Sequence, residues 1–353
     1  MALASHTPAT WDEILSTTFH NYRKSLTDNI FNSRPLLNYY MSKGRMRTVS
    51  GGISIVEPLI YAEGQTQAYT GAGPVLVEPQ ETATAAQFGW KQLAATIIID
   101  ALEEAQNNSK EMAVNLLEAK IMQAEETLKS RLNRMLFGTY TAQSGESAGQ
   151  LFTGLPYLID EAVVIGGIDP ATNAWWKSIV KQGGALDAAG LEKALRDAYN
   201  SSSDAGNDRV DSIFTNAFGF GFYESTLTPQ VRYTDTAKAN LGFQNLMFKD
   251  VPLFWDFDCG GTEHADTAVP ALSTTSANYY GVNSKYVGLV VHSERNFKQS
   301  KFTENLSGSV TQGGSSATAS ALDARVSFIT TFGEQTIRNR RRCFKVVNVT
   351  ETP

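Results

Sequence analysis

The sequence predicts an α+β chain, and three observations lead there. Leu117, Ile121, Ala124, Leu128, Leu132 and Met135 recur three or four apart, which marks one long amphipathic helix. β-branched runs at 96–99 and 286–291 have the composition of buried strands. The stretch 51–90 mixes β-type runs with turn residues and carries no lysine or arginine, although these two supply 30 of the 353 residues.

Taken in order, residues 10–24 form a short helix with Trp11, Ile14, Leu15 and Phe19 roughly on one side. The chain then passes Arg34 and Pro35 into Gly44 and a basic stretch, Lys43, Arg45 and Arg47. Within 51–90 the only charges are Glu57, Glu63, Glu78 and Glu81, punctuated by Pro58, Pro74 and Pro79, with β-type runs at 53–61 and 75–77. A two-stranded excursion of this kind is marginal in water by itself, so it needs another surface. Its uniform sign makes that surface a basic one, and its length suggests a neighbouring subunit. The return strand runs through Phe88, Gly89 and Trp90 into 94–100. Asn108 or Ser109 caps the long helix, which extends to about Phe137 and stops at Gly138.

A loop at 141–149 follows. Residues 163–261 read as a separate lobe: Asp187 caps a helix through Asn200 with Leu191, Leu195 and Tyr199 on one face, 213–215 is a central strand, and 251–257 is another. The chain rejoins the first lobe through 286–291, passes a Gly/Ser/Thr-rich loop at 307–320, and closes with a hairpin of 325–332 and 343–349.

Composition excludes several function classes. A 42% hydrophobic chain of this length buries a sizeable core. A formal charge of −6 lacks the basic footprint of a protein that coats nucleic acid. Cys259 and Cys343 form neither a CxxC pair nor a disulfide framework, as expected of two free thiols in a reducing compartment. The first residues lack a basic region followed by an apolar core, so no signal peptide is read there, and no segment reaches the roughly 18 uninterrupted apolar residues of a membrane span.

The chemical motifs are weak. Gly145, Ser147 and Gly149 match the G-x-S-x-G nucleophile elbow with His292 as a nominal base, but that mechanism needs a strand entering the turn and a helix leaving it. Here a helix enters, so a plain loop is the better reading and no catalytic residue is assigned. Asp256, Asp258, Cys259, Glu263 and His264 resemble a metal cluster, yet the spacing is not that of a calcium loop and a solvated loop is preferred. Trp175 and Trp176 read as core or interface anchors. His6, His20 and His292 lack partners at ligand spacing. No cofactor and no metal is expected.

The order of these features resembles a known family. The acidic β-excursion, the return strand at Trp90-Lys91, the long helix, Gly154-Leu155, Gly167-Ile168-Asp169, Asn173 to Trp176, the 248–259 strand, Tyr280 to Asn283 and the closing Asn339 to Arg342 together resemble the major capsid proteins of tailed bacteriophages, the Hong Kong 97 fold. The resemblance covers nearly the whole chain. It implies an N-terminal arm at 1–50, an extended loop at 51–90, a peripheral domain at 91–162 with its spine helix at about 108–137, an axial domain at 163–261, and the second part of the peripheral domain with a C-terminal hairpin at 262–353. It also implies a structural, non-enzymatic role in a virion head assembled in a bacterial cytoplasm. The chain would partner itself in pentamers and hexamers, together with a portal and a scaffold or decoration protein; packaged DNA would be touched only weakly, and no membrane is involved.

Two departures bear on mechanism. Some members crosslink a loop lysine to a neighbour's asparagine, whereas this loop has no lysine before Lys91. Some carry a long cleaved scaffolding segment, whereas about fifty residues precede this loop. Glu57, Glu63, Glu78 and Glu81 are therefore expected to pair with basic groups of a neighbour. The candidates are Arg338, Arg340, Arg341, Arg342 and Lys345, or Lys120, Lys129, Arg131 and Arg134 on the helix. The arginine cluster admits a DNA-binding reading, with inter-subunit or backbone-carbonyl pairing preferred. An encapsulin-like nanocompartment is the alternative within the same fold.

Overall fold

The computed structural model describes residues 34–71, 73, 78–100, 102–103, 116–138, 148–203, 208–227, 245–260, 275–304 and 324–352. The expected helix at 10–24, the β-run at 75–77, the caps at Asn108 and Ser109, the loop holding Ser147, Glu263 with His264, and the loop at 307–320 lie outside the described residues. Two compact units emerge. Among the described residues, the smaller comprises 97–100, 102–103, 116–124, 302–304 and 324–327, and the larger comprises the rest.

In the larger unit the chain first forms α1, Pro35–Ser42, where the sequence suggested a plain arm. Proline sits at its first position, where the missing N–H costs nothing. Leu36, Leu37, Tyr39 and Tyr40 are buried. Strand β1 (Met46–Val49) then pairs in parallel with β10 (Val287–His292). β10 runs antiparallel to β13 (Ala324–Ile337), which pairs in turn with β11 (Lys298–Gln299), so the order is β1-β10-β13-β11. In the smaller unit β12 (Thr303–Glu304) pairs with Val326 and Arg325.

The 51–90 loop begins as a hairpin of β2 (Ile55–Ile60) and β3 (Ala83–Phe88). β2 thus pairs with an Ala/Thr-rich segment whose small side chains give little strand signal. Strand β4 (Lys91–Asp100) alternates, with Leu93, Ile97 and Ile99 buried and Ile98 exposed, so it is half-buried rather than wholly buried. Among the described residues the long helix α2 spans Leu116–Leu136. Ala124, Leu128, Leu132 and Met135 of the predicted stripe are buried, whereas Leu117 is exposed. Gly138, at φ +67°, ends it by donating its N–H to the Met135 carbonyl at 2.9 Å. Gly154 packs so closely there that an added Cβ would meet the Gly138 nitrogen at 2.5 Å.

A short helical turn, α3 (Leu155–Leu158), leads to the second sheet. That sheet has the order β5-β14-β9-β6-β8-β7, built from β5 (Ile179–Leu186), β14 (Phe344–Glu351), β9 (Ala277–Val282), β6 (Ser212–Thr215), β8 (Val251–Trp255) and β7 (Asn245–Phe248). Helices α4 (Ala188–Ser202) and α5 (Ala217–Thr226) contribute Leu191, Leu195, Tyr199, Phe220, Phe222 and Tyr223 to its core. Asp187 caps α4 as expected, accepting from Gly190 N at 2.8 Å.

The closing hairpin is not formed. β13 belongs to the first sheet, and β14 lies in the second between β5 and β9. The switch is made by the turn Arg340–Arg342. Phe344, Val346, Val347 and Val349 are all fully buried, a pattern that suits an interior strand covered on both faces rather than one arm of a surface hairpin.

Candidate functional site

The base of the extended loop is clamped to its own chain. β2 alternates buried and exposed, and Ile55, Glu57 and Leu59 face inward. Glu57, with a side chain only 2% exposed, accepts from Arg47 Nη2 at 2.6 Å and from Arg338 Nε at 2.9 Å. Two guanidinium groups on one buried carboxylate are strong, directional partners. Further out, Gln87 N donates to Gly166 O at 3.0 Å, and Tyr61 stacks on Trp175 with ring centroids 5.3 Å apart. Trp90 Nε1 donates to Gly52 O at 2.8 Å, closing the loop where it begins.

Two of the residues expected at the interface meet here. Glu57 and Arg338 do pair, but within one chain. Arg340 is also internal: it is fully buried and donates to the carbonyls of Leu158 (2.9 Å), Val163 (2.9 Å) and Tyr157 (3.2 Å), with its guanidinium over the Trp176 ring. Burial pulls its pKa down to about 10, against the opposing charge of Asp160. Backbone-carbonyl pairing is thus what the cluster achieves at that position. Lys345 is buried on Asp160 at 2.5 Å and on Pro156 O at 3.1 Å. On the spine helix, Lys120 bonds Glu103 and the Ile98 carbonyl, Lys129 pairs with Glu126, and Arg134 reaches Asp258 at 3.3 Å.

What remains outward is the far part of the loop. Glu63, Glu78 and Glu81 are exposed, and none forms a salt bridge among the described residues. The second face of the hairpin is apolar: Val56 (48% exposed), Pro58 and Ile60 (85%) lie opposite Gln87, Ala85 and Ala83, and Ile53 is fully exposed. Arg341 is exposed and Arg342 half-buried; the Tyr286 hydroxyl that bonds Asp208 does most to hold the Asp208 carboxyl below its ordinary range, with the Lys285 and Arg342 charges adding to it. The sequence missed Arg47 and Trp175 as partners of the loop; the basic stretch before the loop and the Trp-Trp pair were the available signals.

Of the sequence's metal candidate, Asp256 and Asp258 are buried in a hydrogen-bond network rather than set on a solvated loop. Asn133 Nδ2 donates to Asp258 Oδ2 at 2.7 Å and to both Asp256 oxygens at 3.1 and 3.3 Å, while Asp258 N donates to Asp256 Oδ1 at 3.0 Å. Burial, with the adjacent Asp258 charge adding to it, pushes Asp256 up to about 7. Among the described residues no group of three or more His, Cys, Asp or Glu is placed to hold a metal ion. His292 packs against Trp90 and accepts the Glu294 N–H at its Nδ1.

No family model matches the sequence, and no curated protein matches it. Solved structures match along nearly all of it. The Cyanophage A-1(L) capsid asymmetric unit aligns with a TM-score of 0.62 at 17% identity, covering 98% of this chain and 100% of that chain. The capsid of Myoviridae Phage XM1 gives 0.58 at 10% identity, covering 94% and 97%. The capsid of a native GTA particle gives 0.56 at 11% identity, covering 99% and 100%. Coverage of both partners end to end shows that this chain has the Hong Kong 97-type capsid fold.

Proposed function

We propose that this chain is a major capsid protein whose copies assemble into an icosahedral head shell enclosing phage double-stranded DNA. The observation that carries the reading is the correspondence with capsid structures over 98% or more of each partner. Head-to-tail contacts between copies close into pentamers and hexamers where the rotation allows. The extended loop supplies one such contact. Its inner face is already occupied by its own chain, while its outer face offers Val56, Pro58 and Ile60 and its far part offers Glu63, Glu78 and Glu81. Apolar area at the centre with charge at the rim is the composition of an interface. Arg341, exposed on the surface, is the member of the arginine cluster offered to a neighbour. The role is structural, with no catalytic residue. A portal, a scaffold or decoration protein and weakly touched DNA complete the partners.

Sedimentation velocity and negative-stain microscopy of the purified chain test this. Closed shells, or rings the size of pentamers and hexamers, are expected. A chain that stays monomeric at high concentration would overturn the reading, and shells purified from cells with protein cargo and no DNA would favour the encapsulin-like alternative.

A further inference from the structure

A cavity of about 420 Å³ opens where β1, the turn before β10 and the end of β13 meet. Arg45, Arg47, Lys285 and Arg338 all line it. Two anions answer these four cations: Glu57 takes Arg47 and Arg338 together, and Asp208 takes Lys285 at 2.9 Å. Arg45 has no acidic partner among the described residues, although its backbone is fixed, the Leu289 N–H donating to its carbonyl at 3.1 Å. β1 is the terminal strand of its sheet, so the cleft lies at an open edge. The result is a built concavity with surplus positive charge in a protein whose overall charge is −6.

We infer that this cleft is the receptor for the acidic far part of the extended loop of a second copy, with Arg45 as its recognition residue. The inference rests on the shell reading and names the seat that the loop takes. Charge complementarity selects the occupant, because residues 61–82, beyond the Glu57 anchor, carry three glutamates and no cation. Geometry argues against the chain filling its own cleft. Glu57 is fixed at the cleft wall, and the hairpin continues from there as far as the Tyr61 N to Thr82 O bond. At about 3.3 Å per residue, Glu63 and Glu81 stand roughly 15 to 20 Å beyond that anchor. The cleft admits a few side chains and is far too small for the face of a duplex, so carboxylates of a protein fit it better than DNA.

Two experiments test the seat. Chains carrying Arg45→Cys are mixed with chains carrying Glu63→Cys, Glu78→Cys or Glu81→Cys, assembled and mildly oxidised; the native Cys259 and Cys343 are buried and leave little background. A disulfide-linked species of twice the 38.5 kDa chain mass is expected from at least one mixture and from neither member alone. In parallel, Arg45→Glu should lower particle yield at least tenfold, and a Glu→Lys change at the cross-linking position should restore it. Particles without any mixed dimer, or normal yield from Arg45→Glu, would overturn the seat while leaving the shell intact. Normal, cross-linked shells that merely lose DNA on Arg45→Glu would instead assign Arg45 to nucleic acid and also overturn it. If the unmodified chain gives no oligomer at all, the shell reading falls first and the seat with it.

Discussion

Single side chains set where this fold is rigid and where it responds to pH. Glu57 joins two arginines that remain nearly half exposed, so removing it allows both to rehydrate and the loss is modest. Glu57→Ala should cost about 1–3 kcal/mol, the range for charge-assisted hydrogen bonds, read as a lower urea midpoint with an unchanged slope. Asp256 and Glu334 behave differently, because burial pushes each carboxyl up to about 7 in the folded chain. Between the ordinary carboxylate range near 4 and about 7 the folded state binds more protons than the unfolded one. Their contribution is therefore fully present below about pH 4 and is lost as pH rises through about 7. Asp256→Asn should remove part of that slope: its stability relative to the parent chain should rise from pH 5 to pH 8, as measured by denaturant unfolding at each pH. A parallel pair of curves would show that Asp256 does not titrate in that window.

At the scale of elements, local signals and long-range pairing divide the fold between them. The α4 cap was legible because Asp187 acts within three residues of Gly190, and Asp187→Ala should cost about 1 kcal/mol in thermal or urea unfolding. The β2–β3 hairpin was only half legible. Its inner face was visible as alternation at Ile55, Glu57 and Leu59, but its partner strand, ATAAQF, has no strand character until Gly166 and the rest of the body hold it. Gly166 adopts φ +66°, and an added Cβ would stand 2.7 Å from Ala86 Cβ. Gly166→Ala should thus combine left-handed strain with a clash at the loop base and destabilise by about 1–3 kcal/mol. Unfolding midpoints would show the loss, and proteolysis confined to the 61–82 segment would locate it. The missed α1 has a similar cause, since eight residues opening on proline carry little helical signal until Leu36 and Tyr40 find a core.

For the molecule as a whole, the informative contrast is between surfaces that the chain satisfies internally and those that it leaves open. Most of the basic groups proposed from sequence as partners of the loop are engaged inside the chain, and among the described residues the open features include the outer hairpin face, the glutamates beyond it and the cleft at Arg45. Ile60→Asp should leave the circular dichroism and unfolding midpoint of the single chain nearly unchanged, because Ile60 makes few contacts within it, while reducing shell yield severely. An unaltered yield would remove the outer hairpin face from the assembly contacts.

The sequence by itself determined the α+β character, the long helix over 116–136, the Asp187 cap and the one-signed loop, because periodicity, capping and charge composition act over a few residues. Only the tertiary structure decided that β14 leaves its expected partner for the interior of the second sheet, that Glu57 and Arg338 meet within one chain, and that Arg340 is spent on carbonyls. Those outcomes depend on burial and pairing between segments up to 281 residues apart, where the competing arrangements share the same local sequence and differ only in which groups can be covered and satisfied at once.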